Sequence, residues 1–124
     1  GNYSVDAFFT AKAEWIAAWY KRKYSTPCGS PDGGKERPII IAGTSGLCRD
    51  RVAKLEAQGL TIHGFTDVKK REVPGYVFIP HDELPPSGKA LIISFISQRG
   101  TGDRIAEYLG LRGLVEGEDF ILAA

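Results

Sequence analysis

At 124 residues the chain has room for one compact domain and one appended element. It is 43% hydrophobic and 25% charged, so an ordinary core can hold it without disulfide or metal staples. A net charge of +1 gives no global pull toward nucleic acid or an anionic membrane, and no apolar run approaches the ~20 residues of a membrane span.

Residues 4–24 predict a helix. Ser4 suits the N-cap and Asp6 the first turn. Val5, Phe8, Phe9, Ala13, Ile16, Trp19 and Tyr20 recur at helical spacing as one apolar face. Lys21, Arg22 and Lys23 fall in the last turn, where cations suit the helix dipole. The expected role is a helix docked on the domain. A membrane-surface helix and a contact with an upstream domain are the alternatives, and the mixed charges of Lys12 and Glu14 count against the membrane. Residues 25–37 read as a linker, because Pro, Gly and Ser dominate and nothing apolar repeats. The compact domain is expected over 38–124.

That domain opens on Ile39–Ala42, an unbroken apolar run of the kind buried on both faces of a parallel sheet. A helix over 47–58 follows, with Val52, Leu55 and Ala53 facing inward and Gly59 as its stop. A second strand spans 61–66, with Ile62 and Phe65 apolar. Residues 73–79 give a turn and a short strand, and 81–84 one helical turn. A fourth strand over 90–95 is again continuously apolar. A helix from Gly100 or Thr101 to Leu111 and a last strand over 120–122 complete the chain. Strands alternating with helices of this length predict an α/β fold with a mostly parallel, doubly wound sheet of four or five strands. The expected fold is small and Rossmann-like, with an added N-terminal helix.

In such sheets ligands bind at the carboxyl ends of the strands, where strand order reverses. The loop Gly43-Thr44-Ser45-Gly46 lies at that edge. Gly43 permits a tight turn, and Gly46 lets backbone approach a phosphate. The helix beginning at Leu47 offers free amides and a positive dipole end. Thr44 and Ser45 hydroxyls add possible donors. Arg49 in the first turn is unfavourable there unless an anion or acid pairs with it. Asp67 closes the second strand 24 residues after Gly43, near the ~20-residue spacing at which an acid takes a ribose hydroxyl pair. Ser97 and Arg99, after the fourth strand, are expected across the crevice. A purely structural turn at the glycines and a loop-opening acid at Asp67 stay open as alternatives. No Lys-Ser/Thr of a P-loop follows the glycines, and no Cys/His spacing suits zinc. His63, within the second strand, reads as a packed or half-exposed residue rather than a base; His81, between Pro80 and Asp82-Glu83, is a minor catalytic or metal candidate, and no nucleophile–base pair has local logic. Aromatics are not interleaved with a basic stripe, which argues against nucleic acid. Cys28 and Cys48 read as free thiols of a cytoplasmic protein, and no secretory leader is visible.

Several runs together resemble one family. These are Gly43-Thr44-Ser45-Gly46-Leu47-Cys48-Arg49, Gly64-Phe65-Thr66-Asp67, Glu83-Leu84-Pro85-Pro86, Ser97-Gln98-Arg99-Gly100 and the closing stretch from Leu111 to Phe120. They are similar to the Rossmann-like domain at the C-terminus of some bacterial family 2 glycosyltransferases, over about two thirds of the chain. The helix at 4–24 resembles the segment that joins the transferase to this domain. Thr44-Ser45 replaces part of the family's Gly-Ala-Gly-x-x-Gly-like loop. The resemblance implies a non-catalytic accessory domain, with transfer chemistry in a missing upstream domain. The start at Gly1 and the absence of methionine fit the same expectation of an excised piece. The expected ligand is a nucleotide or nucleotide-sugar. An NAD(P)-binding domain of a small oxidoreductase and a purely structural or oligomerising domain are the competing readings.

Overall fold

The computed structural model describes residues 5–24, 37–67, 70–95 and 101–123. In chain order these form α1 (Val5–Tyr24), β1 (Ile39–Ala42), α2 (Gly46–Ala57), β2 (Ile62–Thr66), β3 (Val77–Phe78), a 3-10 turn (His81–Glu83), β4 (Leu91–Ser94), α3 (Thr101–Leu111) and β5 (Phe120–Leu122). The sheet order is β3-β2-β1-β4-β5, and every pairing is parallel. The small α/β Rossmann-like fold expected from the sequence is present, with five strands and a wholly parallel rather than mostly parallel sheet.

The isoleucine run of β1 is explained by burial on both sides. Ile39 and Ile41, with Leu91 and Ile93 of β4, face Cys48, Val52 and Leu55 of α2 and the inner side of α1. Ile40, Ala42 and Ile92 face the other way, toward Leu84, Leu109 of α3, Leu114 and Phe120. Leu55 is fully buried, and cutting such a side chain back to alanine costs about 2–5 kcal/mol. Ala53, expected inward, is exposed. It lies one position from Val52, about 100° around the helix.

The helix α1 docks on the α2 side of the sheet through Ala13, Ile16, Ala17, Tyr20 and Tyr24, which share one stripe at 3.6-residue periodicity. Phe8, expected on that face, is 60% exposed, and Trp15 is 57% exposed. Both lie nearly half a turn around the helix from the stripe. Trp15 stacks on Trp19 with ring centroids 6.4 Å apart. Among the described residues no helix is long and apolar enough to cross a membrane.

Two local features reconcile β2 with its sequence. Ile39 pairs with Ile62 but Ile40 pairs with Gly64, so the β1 ladder skips His63. This bulge lets Ile62 and Phe65, three residues apart, reach the same core cluster; strict alternation would send them to opposite faces. Gly64 is required by β3: a Cβ there would collide with the Val77 carbonyl.

Candidate functional site

The chain moves outward from β1 to β3, then returns to place β4 on the other side of β1. Sequence order therefore reverses between β1 and β4, and a crevice belongs at their carboxyl ends. The glycine loop leaves β1 at this point.

Gly43 has φ +115°, a conformation that side chains oppose, and its amide donates to Thr66 O at 2.9 Å. Its glycine serves the turn. Ser45 caps α2: its Oγ accepts from the Cys48 amide at 3.3 Å and donates to Cys48 Sγ at 3.3 Å. Thr44 is buried, and its Oγ1 donates to Asp67 Oδ2 at 2.7 Å. The hydroxyls of Thr44 and Ser45, expected as ligand donors, thus hold the loop to β2 and to its own helix. Cys48, wedged under the cap, is buried with a free thiol.

Gly46 differs from Gly43. It is the first residue of α2, its φ is not positive, and a Cβ on it would meet nothing within 4 Å among the described residues. Neither backbone strain nor packing calls for glycine there, and alanine would favour a helix by up to about 1 kcal/mol. The cap occupies the Cys48 amide, and the Arg49 amide bonds Ser45 O at 3.1 Å. The Gly46 and Leu47 amides remain at the open end of α2. Arg49 is exposed, no acid stands in the first turn of α2, and no described residue forms an ion pair with it. A cation beside the positive end of a helix raises the local potential for an anion.

Asp67 is half-buried at the mouth of the loop, anchored by Thr44. The structure thus brings Gly43, Thr44, Ser45, Gly46, Leu47, Arg49 and Asp67 to one edge. Ser97 and Arg99 lie outside the described residues. Thr66 escaped the sequence reading. It is buried beside this loop, in register with Ala42, and its Oγ1 has no hydrogen-bond partner among the described residues. Its only sequence signal is a polar residue closing an apolar strand just before an acid. Among the described residues no group of three or more His, Cys, Asp or Glu can hold a metal ion.

The opposite, amino edge carries a different polar centre that the sequence did not single out. Asp119 is 2% exposed and accepts four hydrogen bonds. Arg37 Nη1 (2.9 Å) and the Gly88 amide (2.8 Å) reach Oδ1; Ser87 Oγ (2.6 Å) and the Val115 amide (2.9 Å) reach Oδ2. Burial pushes its pKa up, but the four donors outweigh it and hold the carboxyl below its ordinary value. Arg37, assigned from composition to the linker over 25–37, is instead fixed by Asp119, Glu118 O and the ring of Tyr24, 4.9 Å away. Residues 25–36 of that linker lie outside the described residues. Burial drives the Tyr24 hydroxyl up to about 12; Arg37 eases the shift, and the acids at 118 and 119 add to it. This centre ties together the starts of β1, β4 and β5, so its role is to hold the sheet. No protein-family model matches the chain, and no curated protein or solved structure is recognisably similar to it.

Proposed function

We propose that this chain is a non-catalytic, Rossmann-like accessory domain that binds a nucleotide or nucleotide-sugar at the Gly43–Arg49 loop. In this reading the ligand's phosphates meet the Gly46 and Leu47 amides and Arg49. Asp67, anchored by Thr44, takes ribose hydroxyls. Transfer chemistry then belongs to a glycosyltransferase domain of a larger cytoplasmic protein, as the resemblance of the loop and closing motifs implies.

One observation carries the reading. Gly46 is a glycine that packing among the described residues does not need, at the open N-terminus of a helix beside a cation with no ion-pair partner among them. A close-approaching phosphate accounts for all three features together. Calorimetric titration of UDP, UDP-sugars, dTDP-sugars, NAD and NADP into the protein and into Asp67→Ala tests it. The expected result is heat with a uridine or thymidine diphosphate species that weakens in Asp67→Ala. Binding of NAD or NADP alone would replace the reading with the oxidoreductase one, and silence from the whole panel would leave a structural domain.

A further inference from the structure

A cavity of about 290 Å³ opens at the amino edge of the sheet, at the other end of the strands from the glycine loop. Lys21 from the end of α1, Arg37 ahead of β1, and Thr61 and His63 around the start of β2 contribute to its wall. No acid lines it.

Three features make this wall more than a solvated surface. Lys21 Nζ donates to Gln58 O at 3.1 Å, which holds the ammonium in place and covers the carbonyl end of α2. An ammonium has three donors, so two remain. Arg37 is a residue of the wall and is fixed through Nη1 by Asp119 and Glu118 O, so its position is set before any ligand arrives. Asp119 offsets its charge, so the net charge of the wall is that of Lys21, with Thr61 and His63 as polar neighbours. His63, finally, is the residue that the β1 ladder skips. Bulges are rare in parallel pairs and re-aim a side chain where they occur. Here the bulge places an exposed imidazole at a cavity that already holds two cations.

We propose that this cavity is a second binding site, for a small multiply charged oxyanion bearing phosphate or carboxylate groups, held by Lys21, Arg37 and His63. The site is separate from the glycine loop and does not depend on it.

Amide NMR titration of the ¹⁵N-labelled protein tests the assignment, with inorganic pyrophosphate in one arm and citrate in the other. The expected result is saturable shifts clustered at Lys21, Arg37 and 59–63 in at least one arm. The responding arm identifies phosphate or carboxylate as the preferred group. Lys21→Gln, at an exposed position, and His63→Gln should each weaken binding about tenfold or more, the loss typical of one charged hydrogen-bond partner. Shifts confined to 43–49, no response in either arm, or unchanged affinity in both variants would overturn the proposal. The amide fingerprint of each variant without ligand reports whether it is folded.

Discussion

Glu118 and Asp119 are adjacent acids, each paired with a cation, yet the structure assigns them very different weights. Asp119 is 2% exposed in its side chain, and its partner Arg37 is 20% exposed. In Asp119→Ala the Arg37 guanidinium loses its counter-charge, and the Gly88 and Val115 amides and the Ser87 hydroxyl lose their acceptor. Removing one partner of a buried pair costs about 3–5 kcal/mol, and the partial solvation of Arg37 places this case near 3 kcal/mol. Unfolding entropy of roughly 2.1 cal/mol/K per residue converts that loss to a fall in Tm of about 12 °C. The Lys23–Glu118 pair is 2.8 Å long, but the glutamate side chain is 56% exposed. Glu118→Gln should therefore lower Tm by only a few degrees at most. Differential scanning calorimetry of the two variants beside the parent checks both. Equal losses, or a smaller loss for Asp119→Ala, would refute the account of the amino edge.

The same carboxyl sets an acid limit. Its folded pKa is lowered, so its contribution is complete above the unfolded value near ~3.9 and is lost as pH falls through the folded value. Urea unfolding below about pH 4 should show stability rising with pH, with a flatter slope in Asp119→Ala; an unchanged slope would contradict the assignment. Gly46→Ala should raise Tm, by up to about 1 kcal/mol of stability, because the site has space and an ordinary φ; a fall in Tm would mean that the backbone there needs glycine. Gly64→Ala should destabilise strongly, because the new methyl group and the Val77 carbonyl cannot both keep their places; hydrogen exchange should show Val77 and Phe78 losing protection first.

The alternation of strands and helices was legible because the sheet is buried on both faces, which writes runs such as Ile39–Ile41 and Leu91–Ile93 directly into the sequence. The glycine loop was legible because a strand-to-helix turn at the carboxyl edge has a local signature. The inner stripe of α1 was only partly legible. Periodicity identifies a helix, but Phe8 and Ala13 compete for the buried side, and the sheet decides between them. The bulge at His63 depends on the register against β1, which one strand's sequence does not contain. Asp119 was missed because its donors come from positions 37, 87, 88 and 115, brought together only when three strand starts align. The roles of Thr44 and Ser45 inverted for a related reason. A hydroxyl beside a helix start is equally suited to a ligand and to the cap, and the fold uses the cap.

The most direct test of the central claim is a thermal-shift comparison of the parent with Gly46→Asp across uridine and thymidine diphosphates and their sugars. An acid in the first turn suits the helix dipole, so the variant should fold without penalty. Its carboxylate would stand where the account places a phosphate. A ligand at 100 times its Kd adds about 2.7 kcal/mol to the parent, a shift of roughly 10 °C at this size. The account predicts that shift for the parent and its loss in Gly46→Asp. Equal shifts in both proteins would place the ligand elsewhere and contradict the account.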